Sequence, residues 1–293
     1  MPMIEYVPKR FQAASLAMID RINNIIAEYR DQGYSLTLRQ LYYQFVARDI
    51  IPNKLMEYKK LGALLSNARM AGLVDWNAIE DRTRFVRELA HWDSPADIVG
   101  ACARQFRVDR WSAQYQPCRV EVWIEKDALV GVFERVCESL DVPLFSCRGY
   151  GSQSELWRAA RRFQEYVDDD QAPVILHFGD HDPSGLDMTR DIQTRMTTFG
   201  VNMEVRRLAL NMDQVEQYTP PPNPARTTDA RFQTYAAQYG NESWELDALE
   251  PTVLSSLVRK EIERFRDQEG WSRAADDIED GREAIRKLAE QLN

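Results

Sequence analysis

The sequence predicts an α/β domain with a parallel sheet, preceded by a mainly helical domain. Two observations predict this division. Apolar residues recur at helical spacing in the N-terminal part, and from Arg119 onwards short apolar runs alternate with helical stretches. A chain of 293 residues also suits two domains better than one small core. We expect a helical domain over residues 1–92, a linker over 93–118, the α/β domain over 119–210 and a helical extension over 211–293.

The charge of the chain is unevenly distributed. A net charge of −9 argues against a protein that coats nucleic acid nonspecifically. Residues 1–120, however, hold 17 Lys and Arg against 13 Asp and Glu, whereas the remaining residues hold 20 against 33. The N-terminal part is therefore suited to phosphate groups, and the acidic remainder to cations.

Several features indicate a cytoplasmic protein without a membrane partner. The sequence has no run of 18 apolar residues, and Met1 to Arg10 lack the apolar segment of a secretory signal. The cysteines show no close pairing, which argues against a zinc site and is typical of reduced thiols. They are Cys102, Cys118, Cys137 and Cys147.

The N-terminal part predicts three helices followed by a hairpin. The first helix ends at Gly33, and Thr37 is a suitable N-cap for the second. Three helices and a β-wing form the outline of a winged helix, although a helical bundle without a DNA role fits the same pattern. The expected helices span residues 11–29, 37–48 and 56–71, and the wing residues 73–84.

The second helix contains a candidate nucleophile. Arg39 and Tyr43 are four residues apart and share a face other than the apolar stripe, so we expect both to face outward. The arginine could clamp a phosphate oxygen and favour the phenolate of a tyrosine that attacks a phosphodiester. The alternative is a tyrosine that only packs. The apolar stripe comprises Leu38, Leu41, Tyr42 and Phe45.

The third helix carries basic and small residues, which would let it lie close to a DNA backbone. A solvated helix face is the alternative. The residues predicted to contact DNA are Lys59, Lys60, Asn67 and Arg69, with Arg82 and Arg84 after the helix.

The α/β part predicts four strands, at residues 119–124, 143–147, 173–178 and 202–208. Acidic residues follow two of them. Glu125 ends the first strand, and Asp180 and Asp182 follow the third, where residues two apart in an extended chain point the same way. Because ligands gather at the carboxyl ends of parallel strands, these carboxylates predict a site for a hard cation, Mg²⁺.

The C-terminal extension predicts an extended surface linker and two charged helices. The proline-rich residues 218–226 are typical of an extended segment. We expect the helices over residues 251–265 and 276–292.

Two segments resemble the acidic motifs of the Toprim fold, in the form found in the A subunit of topoisomerase VI and its meiotic double-strand-break relative. They are Ile124 to Asp127 and Gly179 to Gly185. Arg39 to Tyr43 is similar to the Arg-x-x-Tyr-Tyr motif on the winged helix of that family, and the resemblance covers roughly residues 36–249.

The resemblance implies a Rossmann-like Toprim domain behind a winged helix, and Mg²⁺-dependent cleavage of double-stranded DNA. Tyr43 would form a 5′-phosphotyrosyl link, assisted by Arg39. Glu125, Asp180 and Asp182 would bind Mg²⁺, and Lys126 of the first motif joins the expected catalytic residues.

The family also implies a C2 homodimer in which Tyr43 of one copy faces the metal site of the other, and an ATPase on a separate subunit. Two alternatives remain open. One is a hydrolytic Toprim nuclease in which water attacks, and the other is a non-catalytic winged-helix protein that binds DNA.

Overall fold

The computed structural model describes residues 3–80 and 89–292. Over these ranges the helices are α1 (Ala13–Asp31), α2 (Leu38–Ala47), α3 (Leu55–Met70), α4 (Pro95–Gln105), α5 (Val130–Ser139), α6 (Gln153–Asp168), α7 (Pro183–Thr198), α8 (Met212–Tyr218), α9 (Phe232–Tyr239), α10 (Pro251–Phe265) and α11 (Gln268–Glu290). The strands are β1 (Cys118–Ile124), β2 (Leu144–Ser146), β3 (Ala172–Phe178), β4 (Glu204–Ala209), β5 (Asn223–Pro224) and β6 (Glu242–Ser243).

The three N-terminal helices are confirmed. Helix α2 begins at a capping box, in which the Gln40 amide donates to Thr37 Oγ1 at 3.3 Å and the Thr37 amide donates to Gln40 Oε1 at 2.9 Å. Ile22, Leu41 and Phe45 are fully buried in the cluster that joins α1 to α3. The local capping signal and the apolar spacing together determine this arrangement.

The predicted β-wing does not form over residues 73–80, where the structure has turns and a single parallel bridge between Leu36 and Ile79. The backbone of this segment is bonded partly by Leu36, whose carbonyl accepts from the Glu80 amide at 2.9 Å, and partly by a side chain, because Arg69 donates to the carbonyl oxygens of Trp76 and Ile79. Arg82 and Arg84 lie outside the described residues.

The segment predicted as a linker contains helix α4, which packs against α11. The two helices approach closely because α11 has a glycine at the crossing: a Cβ on Gly281 would lie 2.1 Å from Phe106 Cε1. Trp111, also in this segment, is fully buried and donates through Nε1 to the Leu140 carbonyl at 2.7 Å. Residues 93–118 therefore belong to the packed structure.

The α/β prediction is confirmed by a sheet of four parallel strands in the order β2-β1-β3-β4. Helices α5 and α10 cover one face, where Phe133 packs on Phe178, and α6 and α7 cover the other, around Trp123 and Phe163. Burial on both faces explains the wholly apolar run at β3. The carboxyl ends of β1 and β3 lie side by side.

The C-terminal extension completes this core and contacts the N-terminal helices. Helix α10 spans the predicted residues, whereas α11 begins at Gln268 and not at 276. A 3-10 turn at Leu246–Ala248 packs against α2, and the Tyr34 hydroxyl donates to Ser255 Oγ at 3.0 Å. None of the described helices combines the length and apolar character needed to cross a membrane.

Candidate functional site

The carboxyl ends of β1 and β3 bring two acidic residues into contact. The Asp180 amide donates to Glu125 Oε2 at 2.8 Å. This approach depends on the residue before Asp180, because a Cβ on Gly179 would lie 2.9 Å from Glu125 Oε2. The structure therefore brings Glu125 and Asp180 together at one edge of the sheet, as the strand pattern predicts.

The loop after β3 leads Asp182 into helix α7 as its N-cap. Asp182 Oδ1 accepts from the Gly185 amide at 2.6 Å and from the Ser184 hydroxyl at 3.0 Å. Gly185 allows the turn to close, because a Cβ there would lie 2.3 Å from the Asp180 carbonyl oxygen. One Asp182 oxygen thus stabilises the helix terminus.

Arg207 in β4 holds this loop in place, a role that sequence analysis missed. Its guanidinium donates to the carbonyl oxygens of Gly179 (3.0 Å), Asp180 (2.6 Å) and Gly185 (2.8 Å). Burial lowers the pKa of Arg207 to about 10, although Glu125 and Asp180 oppose the shift. The arginine is therefore a structural clamp on the backbone that presents both aspartates.

Lys126, which follows Glu125, lies among three carboxylates. Its Nζ is 2.9 Å from Asp180 Oδ2, 2.7 Å from Glu245 Oε2 and 3.0 Å from Asp247 Oδ1. Burial alone would lower the pKa of Lys126, but the three carboxylates outweigh it and raise that pKa. Lys126 is thus the resident cation of the cluster.

A backbone bridge carries Glu245 and Asp247 to the site. The His181 amide donates to the Trp244 carbonyl at 2.8 Å, and the Trp244 amide donates back at 3.0 Å. The Leu246 amide donates to Asp180 Oδ1 at 2.8 Å. Sequence analysis did not assign Glu245 and Asp247 to the site, because their pairing with a segment some sixty residues away leaves no local signal.

The same two acids bind Arg39 of helix α2. Arg39 pairs with Glu245, and its Nε lies 2.9 Å from Asp247 Oδ2. Its Nη2 is 3.5 Å from the Tyr43 hydroxyl oxygen. The structure therefore joins Tyr43 to the strand-end carboxylates within one chain, through Arg39, Glu245 and Lys126.

The expectation that Tyr43 faces outward is wrong, because only 4% of it is exposed. Its ring packs edge-on against Tyr42, with centroids 5.4 Å apart. Burial raises the pKa of Tyr43, the charges of Asp247 and Glu245 raise it further, and Arg39 opposes them only in part. Because Arg39 is already paired with two acids, the phenolate that it favours is opposed by the same two acids and by burial, so the phenol stays protonated in this arrangement.

Two carboxyl groups of the cluster have opposite shifts. Burial, with Glu125 and Asp247, raises the pKa of Asp180 to about 7 despite Lys126. Burial also raises the pKa of Glu245, but Lys126 and Arg39 outweigh it and lower that pKa to about 2. The site thus contains one carboxyl that titrates near neutral pH beside one that stays ionised.

The side chains at the strand ends have the oxygen ligands that Mg²⁺ prefers, but they are not arranged around a common point. Glu125, Asp180 and Asp182 supply only oxygen ligands and line one cavity. Yet within residues 3–80 and 89–292 no three His, Cys, Asp or Glu side chains are arranged to hold a metal ion. The contacts explain this: Lys126 pairs with Asp180, and Asp182 caps α7.

The predicted DNA contacts of α3 divide into two groups. Lys59 and Lys60 are exposed, and Lys60 pairs with Glu57 at 2.7 Å. Asn67 donates to the Ala63 carbonyl of its own helix at 2.8 Å. Arg69, as described above, is half-buried and donates to two carbonyl oxygens, and its role as a phosphate contact stays a prediction.

A cavity of about 560 Å³ opens beside the carboxylates. Its lining includes Glu125, Asp182 and Ser184 at the strand ends, and a wall that contains Asn223 and Arg226. The sequence predicts a surface linker over residues 218–226, but β5 within this segment pairs with β6 and so forms this wall.

No protein-family model matches the chain, and a search of curated proteins finds no match. The function must therefore be argued from the geometry of the site.

Proposed function

We propose that this protein cleaves double-stranded DNA, with Tyr43 as the nucleophile and Mg²⁺ as the metal ion. One observation carries the proposal: a continuous series of contacts connects Tyr43 to the acidic strand ends through Arg39, Glu245 and Lys126. A tyrosine, an arginine and a set of carboxylates in one cluster supply the nucleophile, the phosphate ligand and the metal ligands that phosphodiester transfer requires.

In this proposal Arg39 exchanges its acidic partners for a DNA phosphate. The exchange matters for the proton of Tyr43, because Arg39 is one of the two cations that lower the pKa of Glu245. Once Arg39 has moved to the phosphate, Glu245 becomes a better proton acceptor for the neighbouring phenol. The Tyr43 oxygen then bonds to phosphorus and the bond from phosphorus to the 3′-oxygen breaks. That oxygen takes up a proton from solvent, to which Glu245 releases the proton it accepted from Tyr43.

Glu125, Asp180 and Asp182 are the residues that would hold Mg²⁺, and the ion would stabilise the negative charge of the reacting phosphate. Binding requires Lys126 to release Asp180, since its ammonium group now neutralises that carboxylate. Arg207 would keep the backbone of the loop fixed meanwhile, because its bonds go to carbonyl oxygens and not to the acidic side chains.

The direct test compares two neighbouring tyrosines. Tyr43→Phe keeps the ring and removes the attacking oxygen, so cleavage and the covalent adduct should both disappear. Tyr42→Phe is the matched control: its hydroxyl donates to Asn53 Oδ1 at 2.9 Å, so its removal should cost about 1–3 kcal/mol of stability without abolishing the adduct. Each variant is incubated with labelled DNA and Mg²⁺, quenched in detergent and examined for label that migrates with protein.

A hydrolytic nuclease is the second candidate, and the burial of Tyr43 favours it. A phenol that is 4% exposed and whose pKa is raised is a poor nucleophile until the site rearranges. In this mechanism water attacks, and Tyr43 only packs. Mg²⁺-dependent cutting by Tyr43→Phe without an adduct would establish the nuclease, whereas DNA binding without any cutting would leave a non-catalytic binding protein.

We further propose a homodimer, and an ATPase on a separate subunit, because the family resemblance implies both. The contacts of Tyr43 with acids of its own chain raise the question of which copy supplies the metal site. Mixing Tyr43→Phe with Asp180→Asn answers it. Recovery of cleavage in the mixture indicates that the tyrosine acts across the dimer, and continued inactivity indicates action within one chain.

A further inference from the structure

The cavity beside the carboxylates has three cationic side chains in its walls, Arg39, Lys126 and Arg226. They differ in whether a carboxylate already neutralises them. Lys126 is surrounded by three acids and Arg39 by two, as described above. A phosphate would have to displace those acids to reach either cation.

Arg226 is the exception. Its side chain is exposed, and among the residues that the structure describes no carboxylate pairs with it. Arg226 lines the same cavity as the acids but carries a charge that none of them pairs with, so an entering phosphate meets the least repulsion at this arginine. Its planar guanidinium also matches two phosphate oxygens at once.

The backbone around Arg226 is held on both sides, so the side chain projects from a fixed position. Before it, the amide of Ala225, a buried residue, donates to the Asn241 carbonyl at 2.9 Å. After it, the Asp229 amide donates to the Arg226 carbonyl at 3.1 Å. A phosphate ligand on a fixed backbone loses less conformational freedom on binding than one on a loose loop.

Asn223 connects this wall to both halves of the protein. Its Oδ1 accepts from Asn53 Nδ2 at 2.6 Å, and its Nδ2 donates to Glu245 Oε1 at 3.3 Å. Asn53 in turn accepts from the Tyr42 hydroxyl at 2.9 Å. The segment that carries Arg226 is thus tied both to the helix that bears the candidate nucleophile and to the acidic cluster.

We propose that Arg226 binds a backbone phosphate of the DNA at the mouth of the cavity, as the first contact of the strand that is to be cut. This inference rests on the proposed function, since it names the residue that receives the substrate of that site. It predicts a role for a residue that the sequence pattern placed in a surface linker.

The test measures binding of a short labelled DNA duplex in EDTA over a series of salt concentrations. Arg226→Gln should weaken binding roughly tenfold, which corresponds to removing one charge-assisted hydrogen-bonded contact. It should also reduce the slope of log K against log salt by about one. Arg226→Lys should keep the slope, because the charge remains, and should bind with an affinity between those of the wild type and Arg226→Gln.

Arg104→Gln is the matched control, because it removes the same charge from an exposed position on α4, which packs on α11 away from the cavity. It should leave affinity and slope as in the wild type. Equal slopes for wild type and Arg226→Gln, or an equal effect in the control, would overturn the inference and leave the proposed function standing. If Arg226→Gln reduces the slope but the wild type never cuts DNA, Arg226 is a phosphate contact and the proposed cleavage is refuted. A wild type that binds no DNA either in EDTA or with Ca²⁺ in place of Mg²⁺ would refute both.

Discussion

Because of Asp180, the free energy of unfolding should decrease as the pH rises. An ordinary carboxylate in an ion pair has the opposite effect, since its stabilisation increases with pH. Burial is the main reason that its pKa is raised from 3.8 to about 7. A folded-state pKa above the unfolded one means that the folded protein binds the proton more tightly. Its contribution to the free energy of unfolding is therefore fully present below a pH of about 4 and is lost as the pH rises through about 7.

The size of the effect follows from the two pKa values. Between pH 5 and pH 8, linkage predicts a decrease of roughly 2–3 kcal/mol in the free energy of unfolding from this one carboxyl. Asp180→Asn keeps the size of the side chain and removes its titration. The difference in stability between wild type and variant should change by that amount over the same interval. Glu125, whose pKa burial also raises, titrates in the same direction.

The assay is urea-induced unfolding at a series of pH values in EDTA, with both proteins measured side by side. Parallel pH profiles would refute the reasoning, because they would mean that Asp180 binds its proton equally in the folded and unfolded states. Repeating both series with saturating Mg²⁺ adds a second readout. If the ion binds at Asp180, it favours the ionised form, and the wild-type profile should become flatter while that of the Asn variant stays as it was.

The remaining predictions concern the cationic residues outside the acidic cluster. Replacing Lys59 and Lys60 together by Ala should weaken binding to all DNA sequences and lower the salt slope by about one for each phosphate that is no longer bound; an unchanged slope in a binding titration would place the DNA elsewhere. Arg69→Ala should lower the free energy of unfolding by about 1–3 kcal/mol, because two carbonyl oxygens lose their donor, and thermal denaturation would detect it. Arg207→Lys should lower it by at least about 3 kcal/mol and weaken Mg²⁺ binding in calorimetric titration, since an ammonium group cannot reach all the carbonyls that the guanidinium bonds; a variant as stable as the wild type would exclude the clamp.

Local signals in the sequence were sufficient for most of the regular structure. Thr37 and Gln40 form a cap within one helical turn, so the start of α2 could be predicted from four residues. The apolar run of β3 could be predicted because a strand covered on both faces needs no polar alternation. Adjacent parallel strands then fix the meeting of Glu125 and Asp180, which explains why part of the site could be derived without coordinates.

Features that depend on distant parts of the chain could not be predicted in this way. The sequence predicts an exposed face of α2 at Tyr43, because the apolar stripe lies elsewhere on the helix. Yet the residues from Gln40 to Val46 are all buried, because the 3-10 turn at Leu246–Ala248 covers the second face. Helical periodicity shows which residues share a face of a helix, but it does not show how many of those faces other elements cover. Glu245 and Asp247 were not predicted as site residues because they reach the site through a contact between distant parts of the chain.

The pairing of charges at the site constrains how it could act. Arg39 and Lys126 together face the carboxylates of Asp180, Glu245 and Asp247, so each of these two cations is already paired with an acid. Lys126, Asp180 and Asp247 are largely buried, and removing one partner from such a pair leaves an uncompensated charge, which typically costs several kcal/mol. The cations and the acids can therefore separate favourably only if each finds a new partner at the same time. A DNA phosphate would then pair with the cations, and a metal ion with the acids. We accordingly expect DNA and Mg²⁺ to bind cooperatively, with each lowering the cost of admitting the other.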